Sequence, residues 1–231
     1  MMRFDIMTLF PELVSYVLGE SIIGRAQRSG HIEVNTHHIR DYSKDKHRRV
    51  DDTPYGGGKG MLMMAPPIYD CYTDILAKSD PAARRRVVYM SPRGPVLNQK
   101  KVKELSEYDQ LIILCGHYEG VDARIIEEIV DEEISIGDFV LTGGEIPACN
   151  LTDAVARLVD GVLADPVCYE NESLSAGLVE YPQYTRPAEF RGRAVPEVLL
   201  SGHHANIEKW RAAEALAATE RLRPDLLKKE T

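Results

Sequence analysis

Residues 111–120 have the sequence LIILCGHYEG, in which a short apolar run passes directly into a loop that contains two glycines. Such an unbroken aliphatic run is typical of a strand that is buried on both faces of a parallel sheet. Residues 87–94, VVYMSPRG, have the same arrangement, with a short β-rich run followed by a second glycine-containing loop. The two segments therefore predict buried parallel strands, each with a loop at its carboxyl end.

Strand-like and helix-like patterns alternate along the first two thirds of the chain. Further strand patterns occur at residues 3–9 and 32–37. Helical spacing of apolar residues occurs at residues 11–18, 21–28, 66–77, 98–106, 121–129 and 146–158. This alternation predicts an α/β fold built on a parallel sheet.

The pattern changes in the last third of the chain. Residues 161–196 are rich in Pro, Gly and Tyr, and a single strong helix is then predicted over residues 206–220. We therefore expect a first domain at residues 1–160, a flexible interdomain segment at 161–176 and a small, mainly helical domain at 177–231.

The composition of the 231 residues is that of a soluble globular protein, with 44% hydrophobic and 28% charged residues. No apolar run is long enough to span a bilayer, and the N-terminus lacks the features of a secretion signal. The four cysteines, at positions 71, 115, 149 and 168, have no paired spacing, which argues against a zinc site or a disulfide framework. We expect a cytoplasmic protein without a membrane segment, and the sequence identifies no metal site.

The formal net charge of −8 does not by itself favour nucleic acid as a partner. The charge is uneven, however, because residues 181–231 carry nine Lys and Arg against seven Asp and Glu, and residues 44–49 form a second basic cluster. Local basic regions can bind phosphate even on an acidic protein. Carboxylates dominate residues 119–138, and we expect most of them to form a solvated helix face.

Residues 54–60, PYGGGKG, form the most unusual loop of the sequence. A phosphate-binding P-loop is disfavoured because Gly60 and Met61 follow Lys59 where that motif requires Ser or Thr. Two interpretations remain: a flexible surface turn, or a backbone that passes very close to a ligand or to another chain.

Three glycine-containing segments follow the β-rich runs. They comprise residues 91–94, residues 116–120, and the pair 136–138 with 143–145. Ligands of open α/β sheets bind at the carboxyl edge of the strands, so these segments predict a small-molecule pocket built largely from backbone. The sequence contains no GxGxxG motif, so a dinucleotide is not favoured as the ligand.

Several long motifs between residues 9 and 204 together resemble those of the bacterial tRNA (guanine-N1)-methyltransferase family, also called TrmD. The motifs are Leu9-Phe10-Pro11, Val50-Asp51-Asp52-x-Pro54-Tyr55-Gly56-Gly57-Gly58-x-Gly60-Met61-x-Met63, Cys115-Gly116-x-Tyr118-Glu119-Gly120-x-Asp122, Ser135-Ile136-Gly137-Asp138-x-Val140-Leu141-x-Gly143-Gly144-Glu145-x-Pro147, Tyr184-Thr185-Arg186-Pro187 and Val198-Leu199-Leu200-Ser201-Gly202-x-His204. Ordered motifs of this length are far more specific than a single short pattern.

The resemblance implies a SPOUT-type α/β fold with a deep trefoil knot, followed by a helical domain that binds tRNA. It also implies a homodimer in which each active site takes residues from both subunits. The implied activity is transfer of a methyl group from S-adenosylmethionine to N1 of guanosine 37, beside the anticodon of tRNA. The alternative is another SPOUT-type RNA methyltransferase, although a relative that acts on the ribose 2′-OH would lack the motif at residues 184–187.

The resemblance also assigns residues to the binding sites. The implied S-adenosylmethionine pocket consists of Tyr89, Ser91, Pro92, Gly116, Glu119, Gly120, Ser135, Ile136, Gly137, Asp138, Phe139, Val140, Leu141, Gly143, Gly144 and Pro147. The implied contacts with the guanine are Gly58, Gly60, Tyr118 and Glu119. Members of the family require magnesium, but no cluster of oxygen ligands in this sequence marks a site for the ion.

The implied catalytic residues are Arg157 and a general base at Glu172, where the family has an aspartate; Glu170 is an alternative base. From the residues alone, the favoured explanation of an arginine in the apolar stretch 154–159 is a side chain that extends to solvent. Guanine N1 carries a proton that must leave before N1 can attack, so a carboxylate base suits the reaction. An arginine near O6 would stabilise the negative charge that develops there.

Cations of the predicted C-terminal domain are expected to hold phosphates of the anticodon stem. They are Lys209, Arg211, Arg221 and Arg223. Two other classes of protein are distinguishable from this one: a nucleotide phosphotransferase would need a working P-loop, and a non-catalytic RNA-binding module would need no cofactor pocket.

Overall fold

A computed structural model of the chain describes residues 1–163, 174 and 177–227. The chain forms two compact units, Met1–Ala164 and Asp165–Thr231. The strands of the first unit are β1 (Met2–Thr8), β2 (Ile32–His38), β3 (Asp51–Asp52), β4 (Leu62–Met63), β5 (Arg85–Met90), β6 (Gln110–Cys115) and β7 (Glu132–Ile134). Its helices are α1 (Pro11–Leu18), α2 (Ser21–Arg28), a 3-10 helix (Ile39–Tyr42), α3 (Ala65–Ala77), α4 (Gln99–Leu105), α5 (Ala123–Ile129) and α6 (Glu145–Ala156).

Five parallel strands form the central sheet in the order β2-β1-β6-β5-β7. The two-residue strands β3 and β4 pair with each other in antiparallel fashion outside this sheet. The parallel sheet and the helices between its strands confirm the predicted α/β fold of the first unit.

The core lies on both faces of the sheet because successive side chains of a strand point to opposite faces. On one face, Phe4 of β1 and Ile113 of β6 pack in a cluster that includes buried residues of α1, α2, α4 and α6. On the other face, Met7 of β1 and Ile112 of β6 pack in a cluster that includes buried residues of α3 and α5. Burial on both faces explains why these strands are continuously apolar in sequence.

The expected solvated helix face over residues 119–138 is wrong for the end of that run. Helix α5 ends at Ile129, and the chain then forms β7 beside β5. Glu132 of β7 accepts a hydrogen bond from Nε of Arg86 at 2.9 Å and forms an ion pair with Nζ of Lys101 at 3.0 Å. These cations, from β5 and α4, compensate for placing a carboxylate in a partly buried strand.

The second unit contains an antiparallel pair, β8 (Glu189–Phe190) and β9 (Arg193–Ala194), and two helices, α7 (Glu197–Leu200) and α8 (His204–Leu222). A 3-10 helix (Pro224–Leu227) follows α8. The hydroxyl of the buried Thr219 accepts a hydrogen bond from the backbone N of Val179 at 2.9 Å. This bond ties the start of the described part of the unit to α8. Within the described residues, no helix is long and apolar enough to cross a membrane.

Candidate active site

A cavity of about 390 Å³ is formed by loops at the carboxyl ends of β5, β6 and β7. Strand β5 lies between β6 and β7 in the sheet, so the loops that follow the three strands begin side by side. The cavity is therefore at the edge of a parallel sheet where ligands of α/β proteins bind.

Nearly all of the residues predicted to hold S-adenosylmethionine line this cavity. They are Tyr89, Ser91, Pro92, Gly116, Glu119, Gly120, Ser135, Ile136, Phe139, Val140, Leu141, Gly143, Gly144 and Pro147. Gly137 and Asp138 are not among the lining residues. Gly137 instead accepts a hydrogen bond, through its backbone oxygen, from the hydroxyl of Ser135 at 2.8 Å, which shapes the turn behind the cavity.

Other lining residues were not predicted from the sequence. They are Leu62, Met90, Arg93, His117, Val121, Ile126, Ile134 and Thr142. His117 and Thr142 lie between predicted residues of the same loops, so they could have been predicted as lining residues from their neighbours in sequence. Leu62 lines the cavity because β4 lies beside the loop at 116–120. No local sequence pattern predicts that contact.

Close backbone contacts hold the cavity wall together. The backbone N of Gly144 donates to the carbonyl of Gly116 at 2.8 Å. A Cβ on Gly144 would lie 2.8 Å from Cα of Cys115, and one on Gly116 would lie 2.7 Å from the hydroxyl oxygen of Tyr89. Burial raises the pKa of Tyr89, so its hydroxyl stays protonated and remains a hydrogen-bond donor.

The glycine-rich loop at residues 54–60 leads into the candidate guanine-binding residues. The backbone N of Glu119 donates to the carbonyl of Met61 at 3.0 Å. Gly60 has φ +89°, and a Cβ on it would overlap the side chain of Glu119. The end of the loop thus passes directly against Glu119, whereas Gly58 lies in an exposed turn where a Cβ would meet Cγ of Pro54 at 3.6 Å.

Tyr118 has an unusual backbone conformation at the cavity. Its φ is 60°, in the left-handed region that favours glycine, and its side chain is 45% exposed. Its ring lies 5.2 Å from that of His117, which in turn lies 5.1 Å from the ring of Phe10. The strained backbone thus presents an aromatic side chain at the cavity, where it is available to stack on a planar group.

Arg157, one of the predicted catalytic residues, does not line this cavity. Arg157 follows the last residue of α6, and its backbone N donates to the carbonyl of Asp153 at 3.2 Å. The cavity contacts the other end of α6, which is about 18 Å away for a helix of 12 residues. Glu172 and the alternative base Glu170 lie outside the described residues.

The predicted phosphate-binding cations all lie on or beside α8. Arg211 is stacked over the ring of Tyr181 at 5.0 Å and pairs with Glu208 at 2.7 Å. Arg223 pairs with Asp225 at 2.7 Å. Lys209 and Arg221 are exposed. In the part of the chain that the structure describes, no group of three or more His, Cys, Asp or Glu side chains is arranged to hold a metal ion.

The sheet and its loop-built cavity define an α/β protein with a small-molecule site at the carboxyl edge. A sequence model of the family described as tRNA (Guanine-1)-methyltransferase TrmD matches residues 2–229. The chain belongs to this family, which confirms the resemblance of the sequence motifs.

Individual relatives match the chain over almost its whole length. A tRNA (guanine-N(1)-)-methyltransferase of Ruminiclostridium cellulolyticum is 60% identical over 228 residues, which cover 99% of this chain and 97% of that protein. The protein of the same name from Lachnospira eligens is 55% identical over 225 residues, with coverage of 97% and 94%. The one from Alkaliphilus oremlandii is 53% identical over 230 residues, with coverage of 98% and 92%.

Proposed function

We propose that this protein transfers a methyl group from S-adenosylmethionine to N1 of guanosine 37 in tRNA. The observation that carries the proposal is the cavity at the carboxyl edge, whose wall includes residues of the family motifs at 115–122 and 135–147. Membership of the tRNA (guanine-1)-methyltransferase family over residues 2–229 supports the reaction and the substrate.

The cavity fits a cofactor of this kind in size and chemistry. Its volume of about 390 Å³ lies within the range of small-molecule pockets, and its wall combines apolar side chains with glycine backbone. Tyr89, Ser91, Pro92 and the loop at 135–144 would hold the cofactor. When bound, S-adenosylmethionine supplies a methyl group that is already activated by a positively charged sulfur.

The side chains of the protein must then prepare the guanine. Tyr118 stacks on the base and Glu119 binds its edge, after the base has turned out of its stack in the tRNA. Glu172 accepts the proton from N1, and Arg157 stabilises the negative charge that develops on O6. Lys209, Arg211, Arg221 and Arg223 hold the tRNA backbone, each as a contact with phosphate.

A homodimer with shared active sites is part of the proposal. Arg157 and the cavity lie at opposite ends of α6, further apart than one arginine side chain extends, so Arg157 would act in the cavity of a second copy. Apolar side chains at and along α1, and one at the start of α6, support this interface, because they are about half exposed: Phe10 46%, Leu13 40%, Val17 46% and Ile146 52%.

We also propose the SPOUT-type trefoil knot, a helical tRNA-binding role for the second unit, and a cytoplasmic location. Close passage of backbone supports the knot. A Cβ on Gly94 would lie 2.5 Å from the backbone of Glu133, and the backbone N of Leu97 donates to the carbonyl of Ser135 at 2.8 Å. An experimental density map with an unthreaded path between residues 91 and 144 would contradict the knot.

The reaction is tested with unmodified tRNA that carries guanosine 37 and methyl-labelled S-adenosylmethionine, followed by nucleoside mass spectrometry. The expected product is 1-methylguanosine, and tRNA with adenosine at position 37 is the control. Ribose 2′-O-methylation would instead favour another SPOUT-type RNA methyltransferase. Adding EDTA and then magnesium to the same assay tests the predicted magnesium requirement.

The base assignment is tested by Glu172→Gln, which keeps the size of the side chain but cannot accept the proton. We expect cofactor binding to be retained and turnover to fall at least 100-fold, the lower end of what general-base catalysis contributes (roughly 10²–10⁴). Glu170→Gln is the matched control and should remain active. If Glu170→Gln loses turnover and Glu172→Gln does not, Glu170 is the base.

A further inference from the structure

Glu145 is a buried carboxylate beside the cavity. It is the first residue of α6 and is only 4% exposed. Its Oε1 accepts a hydrogen bond from the hydroxyl of Thr8 at 2.8 Å. Thr8 ends β1, is fully buried, and also accepts a hydrogen bond from the backbone N of Phe10 at 2.9 Å. The pair thus joins the end of a central strand to the start of α6.

The second oxygen of Glu145 faces the loop that precedes α6. A Cβ on Gly143 would lie 2.5 Å from Oε2 of Glu145 and 2.7 Å from Cδ2 of His117. The carboxylate and the imidazole therefore both lie where a side chain at position 143 would begin. The backbone N of Gly144 also donates to Gly116, but the side chains in the middle of the loop pack little, because Phe139, Val140 and Leu141 are 54%, 79% and 44% exposed.

We infer that Thr8 and Glu145 are positioning residues, which hold the loop at 139–144 in the shape that binds the methyl donor. The inference rests on the proposed cofactor. A carboxylate is tolerated here because it accepts the Thr8 hydrogen bond and lies in the first turn of α6, where the helix dipole favours negative charge. Without this anchor the loop would first have to be ordered by the ligand, and that cost would appear as weaker binding.

The anchor is tested with four variants. Thr8→Val keeps the shape of the side chain and removes the hydroxyl, Thr8→Ser retains the hydroxyl, and Glu145→Ala removes the acceptor. Thr152→Val is the matched control, because Thr152 is also buried on α6 and its hydroxyl has no partner among the described residues.

Calorimetry with S-adenosylmethionine and steady-state kinetics measure the effect. Loss of the Thr8–Glu145 hydrogen bond is expected to raise the Kd of Thr8→Val and Glu145→Ala about tenfold, and Thr8→Val also removes the acceptor of the Phe10 backbone N. The KM for S-adenosylmethionine should rise in parallel, while the KM for tRNA and kcat stay within about twofold of the parent values. Thr8→Ser and Thr152→Val should bind S-adenosylmethionine like the parent. The Thr8→Val/Glu145→Ala double variant should have a Kd no higher than that of the single variant that binds more weakly.

The possible failures are distinguishable. A parent protein that does not bind S-adenosylmethionine overturns the cofactor assignment and this inference with it. If the parent binds the cofactor and Thr8→Val binds it equally well with only a lower melting temperature, the residues are merely structural and the inference alone is wrong. If Glu145→Ala fails to fold, the comparison of Thr8→Val with Thr8→Ser still tests whether the hydroxyl of Thr8 supports cofactor binding.

Discussion

Asp5 is a fully buried carboxylate in the middle of β1. Nε of Arg3 and Nε2 of Gln110 each donate to it at 2.7 Å, and Nε2 of His37 lies 2.8 Å from Oδ1. Burial alone would raise the pKa of Asp5, but the hydrogen bonds from His37, Arg3 and Gln110 outweigh it and the pKa is lowered. The network therefore stabilises the ionised carboxylate within the core.

This lowered pKa predicts a loss of stability in acid. A carboxyl group whose pKa is lower in the folded state stabilises the protein above its unfolded pKa, and that contribution is lost as the pH falls through the folded pKa. We expect Asp5→Asn to reduce the free energy of unfolding by about 3 kcal/mol near neutral pH, because the groups that contact Asp5 lose the buried negative charge that they stabilise. The deficit relative to the parent should shrink below about pH 4.

Urea unfolding at pH 7 and pH 3 measures both effects. Asp70→Asn is the control, because it removes a partly exposed partner of the exposed Lys44 and should change stability little. An Asp5→Asn deficit that is the same at both pH values would contradict the assigned ionisation.

The cysteines at positions 71, 115 and 149 are buried and free. Burial raises the pKa of Cys149 to about 11, and it also raises the pKa values of Cys115 and Cys71. Because the thiolate is the reactive form, these three thiols should resist iodoacetamide in the folded protein and react after unfolding in urea. Peptide mass spectrometry measures the labelling, and rapid modification of Cys115 in the native protein would be inconsistent with its burial.

At the scale of single residues, the loops of the cavity could be predicted but their anchor could not. Gly116, Gly143 and Gly144 stand out because glycines follow predicted strands. The hydrogen bond between Thr8 and Glu145 joins positions that are 137 residues apart, and no local sequence pattern around either residue predicts it.

At the scale of helices and strands, a local sequence pattern predicted an element correctly where the residues that stabilise the element lie within it. Pro11 at the first turn of α1 and the apolar runs of β5 and β6 mark those elements in the sequence. Strand β7 was missed because two of its three residues are glutamates. Its stability comes from Arg86 and Lys101, which belong to other elements.

Helix α4 offers a test of local stabilisation. The side chain of Asn98 accepts a hydrogen bond from the backbone N of Lys101 at 2.9 Å and so caps the helix, whose Val102 and Leu105 are buried in the core. Asn98→Ala should reduce the free energy of unfolding by about 1 kcal/mol, because the first turn loses its cap. Asn98→Asp retains an acceptor and should remain within about 0.5 kcal/mol of the parent. Urea denaturation compares them, and equal stability of Asn98→Ala and the parent would show that the cap contributes nothing.

At the scale of the whole molecule, the order of strands could not be derived from the sequence. Neighbours in sequence often pair in a sheet, yet β6 lies between β1 and β5. This insertion brings the loops after β5, β6 and β7 to one edge and so creates the cavity. Long-range pairing of this kind depends on packing between distant segments, whereas periodicity reports only on neighbours along the chain.

The shared active site of the proposed homodimer can be tested by mixing two inactive proteins. Thr142→Trp should block the cavity, because Thr142 is exposed and lines it, whereas Glu172→Gln should remove the base. If the cavity of one subunit works with Glu172 and Arg157 of the other, a mixed dimer contains one intact site and one doubly altered site. Random pairing then restores about a quarter of the parent activity, since half of the dimers are mixed and each has one working site.

Co-expression of the two variants with different affinity tags isolates the mixed dimers, and light scattering verifies their mass. Each variant alone is the control for inactivity, and calorimetry checks that only Thr142→Trp has lost cofactor binding. Purified mixed dimers should reach about half of the parent activity per dimer, because one of their two sites is complete. If every site were built from a single chain, each site of the mixed dimer would carry one defect. Mixed dimers without activity would therefore overturn the shared site, while a monomeric parent with full activity would overturn the dimer itself.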